Sequence, residues 1–217
     1  MPSEPSIAVL FDLDGVIVDS RAFHIEAWVA LAHAHGIDAP SGYFTQTFGM
    51  RNDAILGGLL RDAPPERIAA LASEKEATFR DLAHGRLEPL PGARELVAFL
   101  REQAVPRSVV TSTPLANLRM ILETLALDAM FDALVSEEDV TKGKPDPEGF
   151  LLGAMRLQAK PAVCVVIEDA PAGLAAAKAG GMRAIGVTTT HPAPDLEDAD
   201  LVVGSLTEET VRTFIFG

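Results

Sequence analysis

The stretch AVLFDLDGVIVDS, residues 8–20, ends an apolar run on two carboxylates, Asp12 and Asp14, with Gly15 immediately after them. Like charges about 4 Å apart at an effective dielectric of about 20 repel by about 4 kcal/mol, so this spacing calls for a cause. One cause is an ordinary strand-to-loop turn, with both acids facing water and Gly15 bending the chain. The other is chemistry: a divalent cation held by oxygen ligands, or a carboxylate nucleophile. The spacing alone leaves both open.

Further polar residues follow other apolar runs. Thr111, Ser112 and Thr113 come after RSVV, Lys144 lies in TKGKPDP, and Glu168 with Asp169 ends VCVVI. Each has an ordinary reading. Thr113 before Pro114 reads as a helix N-cap followed by proline at the first helical position. Lys144 could be a solvated loop lysine, although Gly143, Pro145 and Pro147 constrain its loop, and Asp146 reads as the cap of the helix that Pro147 opens. Glu168 and Asp169 could be capping or surface acids ahead of Pro171. Thr111 ends its strand, where its hydroxyl and nearby N–H groups could bind a phosphate at a helix start. Coincidence of separate structural roles at all these strand ends is less economical than one shared site.

Such a set suits cleavage of a phosphate monoester, a reaction so slow uncatalysed that it needs strong electrostatic stabilisation. A carboxylate can act as nucleophile through an aspartyl-phosphate. Mg²⁺ on oxygen ligands shields that nucleophile from the phosphate charge. A lysine and a hydroxyl bind the phosphoryl oxygens, and a second carboxylic acid protonates the leaving alkoxide and then deprotonates water.

The elements that must position these residues can be read from hydrophobic periodicity. IAVLF is a strand. About seventy residues without a convincing strand follow it. They hold an amphipathic helix, RAFHIEAWVALAHAH, ending at Gly36, short helices in SGYFTQTFG and RNDAILGGLLRD, and a long one that starts at Pro65 and stops at Gly85. The breaker-rich LEPLPGA marks a boundary. Beyond it, ARELVAFLREQ, LANLRMILETLAL, PEGFLLGAMRL and PAGLAAAKAGG alternate with RSVVT, ALVSE, AVCVVIED and RAIGVTT, and LVVG is a last short strand. The alternation predicts an α/β fold, a parallel Rossmann-like sheet flanked by helices. The first strand belongs to that sheet, so the all-helical block is an insertion. The expected division is residues 1–17 and 88–217 for the α/β core and 18–87 for the insertion. In such sheets ligands bind beyond the carboxyl ends of the strands, where the polar residues collect.

The 217-residue chain carries a net charge of −13, which argues against nucleic acid or an anionic membrane surface as partner. No apolar run approaches the roughly 18 residues of a membrane span, and the N-terminal stretch lacks the basic region of a signal peptide. Cys164 is the one cysteine; it sits in an apolar run and reads as a packing residue. A reducing, cytoplasmic setting is expected. An anionic substrate would need local positive charge to overcome the global field.

FDLDGVIVDS, VVTST, KGKPDP and VIEDAPAG resemble, in order and over essentially the whole chain, the four motifs of the haloacid dehalogenase-like superfamily. The nearest branch holds β-phosphoglucomutase and small sugar-phosphate phosphatases. The resemblance implies a cap domain for the helical insertion, with Asp19 and Ser20 where its hinge begins. It implies Asp12 as nucleophile and metal ligand, and Asp14 as acid/base whose backbone carbonyl also meets the metal. Thr111 and the backbone beside Ser112 would bind the phosphoryl group. Lys144 would hold that group and neutralise Asp12, while Asp169 would complete the Mg²⁺ site with Glu168 as ligand or close neighbour. His24 resembles a histidine that orients the general acid; its alternative is a helix-face residue packed with Trp28 and Leu31. Arg51 matches an arginine that reaches a substrate's distal phosphate or hydroxyls; its alternative, a solvated arginine at a helix start, opposes the helix dipole.

In one respect the chain departs from the mutase. QTFGMR offers Phe48 or Thr47 where the mutase carries a lysine that grips a second phosphate. The expectation is therefore a Mg²⁺-dependent phosphatase of a small phosphorylated metabolite, a sugar or polyol phosphate, monomeric, with a phosphomutase as the alternative. A dehalogenase has no need of Asp14, and a signalling receiver is shorter and lacks the insertion.

Overall fold

The computed structural model describes residues 5–217. The chain divides into two compact units: residues up to Asp19 together with Glu88–Gly217, and Ser20–Leu87.

The first unit is built on a six-stranded, all-parallel sheet. Its strands are β1 (Ala8–Phe11), β2 (Arg107–Val110), β3 (Ala133–Val135), β4 (Cys164–Glu168), β5 (Arg183–Val187) and β6 (Leu201–Val203), in the order β3-β2-β1-β4-β5-β6. β1 is thus central, paired with β2 on one side and β4 on the other. Every residue of β1, β2 and β4 is buried, as expected of a parallel sheet covered on both faces. Alternation along the strands explains it. Leu10, Val166 and Ala184 join one core with Phe150 and Ala154 of α7 (Glu148–Arg156) and Leu174 and Ala177 of α8 (Pro171–Ala179). Val9, Phe11, Val165 and Ile167 point the other way and are equally buried. The remaining helices are α5 (Ala93–Glu102), α6 (Leu115–Thr124) and α9 (Glu209–Phe216). In α5 the buried residues Ala93, Leu96, Val97 and Leu100 trace one helical face. The C-terminal helix α9 was not expected from the sequence; its VRTFIF run reads equally as strand or helix until Val211 and Ile215 are seen buried on one side.

The second unit contains α1 (Arg21–His35), α2 (Tyr43–Gln46), α3 (Asn52–Leu59) and α4 (Pro65–Ala83). Its own core joins Trp28, Leu31, Phe44, Ile55, Leu56 and Leu71. Trp28 and Phe44 stack at 5.5 Å. Gly36 closes α1 in the left-handed conformation, φ 60°, which a residue without Cβ adopts at least cost. The chain leaves and re-enters the sheet unit along paired segments: Val18 bridges Pro89, and Leu90 N–H donates to Ile17 O at 2.8 Å. No helix among the described residues is long and apolar enough to cross a membrane.

Gly92, at the start of α5, has φ 84°, and a Cβ there would lie 2.5 Å from the backbone of Leu206 and Thr207. Gly92→Ala should therefore cost about 2 kcal/mol or more. The expected thermal midpoint is about 4–8 °C below that of the parent; an unchanged midpoint would show that this crossing is not tightly packed.

Candidate active site

Parallel pairing does the first work of assembly. Phe11 is in register with Ile167, so the next residues, Asp12 and Glu168, emerge side by side at the carboxyl ends of the two central strands. Asp12 N–H donates to Ile167 O at 2.9 Å, fixing the backbone there. Lys144, from the loop between β3 and α7, reaches across and donates from one Nζ to Asp12 Oδ1 and Glu168 Oε1. The same ammonium lies 5.1 Å over the Phe150 ring. The other Glu168 oxygen accepts the Asp169 and Ala170 N–H groups at 2.8 and 2.9 Å, at the start of α8. Carboxyl oxygens of Asp12, Glu168 and Asp169 lie within 4.8 Å of one another.

The three acids are 7%, 1% and 4% exposed, so their charges are nearly cut off from water. Burial pushes the Asp12 carboxyl well above the usual carboxylate range; Lys144 opposes the rise, and Glu168 and Asp14 add to it. Asp169 is raised as well, by burial and then by Glu168 and Asp12. Burial lowers the Lys144 pKa, but Asp12 and Glu168 outweigh it and hold the lysine above its ordinary value. One lysine therefore does not balance the carboxylates it touches. Hard oxygen donors, close spacing and an uncompensated negative charge together fit a small divalent cation such as Mg²⁺.

The rim carries the hydroxyls. Thr111 Oγ1 accepts the Thr113 N–H at 3.1 Å, and Thr111, Ser112, Gly143 and Lys144 line one recess. Thr113 corrects the sequence reading. It is not a helix cap: α6 begins at Leu115 with Pro114 before it, and the exposed Glu138 carboxylate takes the Leu115 N–H at 2.9 Å. Thr113 Oγ1 instead donates to Asp14 Oδ2 at 2.6 Å. Asp146 accepts the Glu148 N–H at 3.0 Å, but Pro147 and not Asp146 is the cap residue of α7. Cys164 is buried, and burial pushes its thiol up to about 11, as a packing residue allows.

The loop after β5 contributes residues that the sequence did not single out. Thr190 Oγ1 donates to Asp169 Oδ2, and Thr189 Oγ1 donates to the Gly15 carbonyl. Gly15 has φ 87°, and a Cβ on it would overlap the Asp169 carboxyl. The glycine after the acid pair is thus required by the third acid as well as by the turn. TTTHP reads as a plain polar loop; only its place after a strand pointed here.

His24 and Arg51 belong to the helical unit. His24 is buried on α1, stacked on Phe79 at 3.8 Å, with Nδ1 2.6 Å from Lys75 Nζ. An ammonium only donates, so Nδ1 accepts and the neutral ring carries its proton on Nε2. Burial, and then Lys75, hold the His24 pKa well below its ordinary value. The neighbours of His24 include Phe79, Phe48 and Lys75. Lys75, itself buried, also donates to Glu76 at 2.8 Å. Arg51 precedes α3 in extended conformation, with Nε 3.4 Å from Asp53 Oδ1.

Comparison with known proteins finds a hydrolase family and named phosphatases. The haloacid dehalogenase-like hydrolase family matches residues 8–181. The chain is similar to validoxylamine A 7'-phosphate phosphatase of Streptomyces hygroscopicus subsp. limoneus, 35% identical over 207 residues, covering 92% of this chain and 93% of that protein. It is 36% identical over 204 residues to hexitol phosphatase A of Escherichia coli, covering 93% and 92%. Among solved structures, a β-phosphoglucomutase from Clostridium difficile superposes with a TM-score of 0.85 at 28% identity, covering 96% of each chain.

A Cβ on Gly173, in α8, would overlap the Glu168 carboxyl. Alanine is the better helix former by about 1 kcal/mol, yet Gly173→Ala should displace Glu168 and loosen the acidic cluster. Titration calorimetry should find Mg²⁺ binding at least about 10-fold weaker, with far-UV circular dichroism unchanged. Unaltered affinity would mean that the position of Glu168 is immaterial to the cation.

Proposed function

The chain belongs to the haloacid dehalogenase-like hydrolase family, and on that premise we propose that it is a Mg²⁺-dependent phosphatase of a small sugar or polyol phosphate, working through an aspartyl-phosphate. The observation that carries this reading is the Lys144 bridge between Asp12 and Glu168, with Asp169 in the same cluster.

Asp12, Glu168 and Asp169, with the Asp14 carbonyl, would hold Mg²⁺, which supplies positive charge against both the acids and the phosphate. A carboxylate oxygen of Asp12 attacks phosphorus as the ester P–O bond breaks. The leaving alkoxide takes its proton from the Asp14 carboxylic acid, which is left as carboxylate. Asp14 then takes a proton from water as the water oxygen attacks the aspartyl-phosphate, releasing phosphate and regenerating Asp12. Lys144 and the Thr111 hydroxyl, with the backbone beside Ser112, grip the phosphoryl oxygens throughout. Proton transfer of this kind is worth roughly 10² to 10⁴ in rate. The helical unit serves as a cap that selects substrate, with His24 orienting Asp14 and Arg51 engaging substrate hydroxyls. The enzyme acts as a cytoplasmic monomer.

Phosphomutase action is the second reading, favoured by the likeness to a β-phosphoglucomutase. Against it stands Phe48, whose ring packs near His24 and Arg21 at 6.0 and 5.5 Å. An apolar side chain there offers no grip on the second phosphate of a bisphosphate intermediate, so water is the simpler acceptor.

Phosphate release should be measured over sugar, polyol and nucleotide monophosphates. Release should need Mg²⁺, stop in excess chelator and vanish in Asp12→Asn. Turnover in chelator would refute the metal role, and activity confined to added bisphosphate would favour the mutase. Arg51→Ala should raise KM for the best polyol phosphate about 10-fold while leaving that for 4-nitrophenyl phosphate within about twofold; equal effects would make Arg51 structural.

A further inference from the structure

We propose that Thr113 is a positioning residue for proton transfer: its hydroxyl fixes the Asp14 carboxyl so that Oδ1 is the oxygen that gives and takes the proton. The inference rests on the reading of Asp14 as acid/base and gives a role to Thr113, which the motif reading left as a helix cap.

Thr113 is buried, and its backbone is anchored on both sides. Its N–H donates to Thr111 Oγ1 at 3.1 Å, and its carbonyl accepts the Glu137 N–H at 3.2 Å. With the backbone so fixed, the side chain has little freedom, and Oγ1 sits 2.6 Å from Asp14 Oδ2. An ionised carboxylate only accepts, so the threonine hydroxyl is the donor in this bond. Keeping that donor in place when the acid is reloaded leaves Oδ2 as acceptor and puts the exchangeable proton on Oδ1. A hydrogen bond to a charged group is among the stronger ones, and it acts on a side chain that must hold one orientation through both half-reactions.

The turn also links two tasks. Thr111 Oγ1 accepts from the Thr113 amide, which leaves the Thr111 O–H to donate to a phosphoryl oxygen. The strand end that grips the phosphate therefore sets the proton donor through the next-but-one residue. Asp14 is held from its own side too, by the bridge to Val18 and the Gly15 N–H to Val18 O bond at 2.8 Å.

The test compares two probes whose leaving groups differ in their need for a proton: sorbitol 6-phosphate, which leaves as an alkoxide, and 4-nitrophenyl phosphate, which leaves as a stabilised phenolate. The readout is kcat/KM, which covers steps through release of the alcohol or phenol. Thr113→Val should lower kcat/KM for sorbitol 6-phosphate about 10-fold, and for 4-nitrophenyl phosphate less than about twofold. Thr113→Ser, which keeps the hydroxyl, should restore most of the loss. Thr113→Ala serves if the valine variant does not fold. Equal losses on both probes, failure of serine to rescue, or no loss on the alkyl phosphate would each overturn the assignment. Asp14→Asn run beside them separates the two levels. If it too treats both probes alike, the acid/base reading has failed; if it is selective and Thr113→Val is not, Thr113 alone is wrongly assigned.

Discussion

The structure depends on an electrostatic imbalance created by strand pairing. β1 and β4 lie in parallel register, so the acids that follow them, Asp12 and Glu168, cannot avoid one another. Asp169 adds a third carboxyl, and the ammonium of Lys144 is shared between the first two. Burial removes the water that would otherwise screen them. Burial, and after it the neighbouring acids, raises the pKa of both Asp12 and Asp169. A cation is the natural partner for such a cluster, an anionic phosphoryl group needs that cation and Lys144 to offset the acids, and most of the local structure around the cluster serves to hold the acids in place.

That support is distributed over the loops at one end of the sheet. Glu168 is tied by the Asp169 and Ala170 N–H groups just before α8 and by the absence of a side chain on Gly173. Asp169 is held by Thr190 and fitted against Gly15. Asp14 is held by Thr113. These contacts come from segments after different strands, so the site is a property of the sheet topology and not of any one motif. The helical unit has its own buried polar group, the His24, Lys75 and Glu76 set, packed among Trp28 and Phe79. A buried lysine is costly unless partnered, and here its partners include His24, Glu76 and the aromatic faces.

How much of this was legible in the sequence follows from what kind of signal each residue leaves. The acids after IAVLF and VCVVI stood out because charge abruptly ends an apolar run, and Lys144 because glycine and prolines frame it. The alternating helices and strands gave the sheet, because burial on both faces writes continuous apolar runs. Thr113 was misread because a threonine before proline has a local explanation as a cap, and local patterns say nothing of a partner 99 residues away. Thr190 hid in a polar loop for the same reason. Lys75 lies in the charge-rich helix PERIAALASEKEATFRDLA, where a lysine reads as solvated. Yet Leu71, Lys75, Phe79 and Ala83 recur every fourth residue and are all buried, so the stripe that places Lys75 inside was present and its charge concealed it. The C-terminal helix went unseen because a short apolar run fits either period.

The central claim, that the clustered acids exist to receive a cation and a phosphoryl group, is most directly tested by a crystal structure grown with Mg²⁺ and fluoroberyllate, a stable mimic of a phosphoryl group on aspartate. The account predicts the fluoroberyllate on a carboxyl oxygen of Asp12, Lys144 and Thr111 against its fluorines, and Mg²⁺ among Asp12, Glu168, Asp169 and the Asp14 carbonyl. An unmodified Asp12, with the cation bound at some other place on the surface, would contradict it.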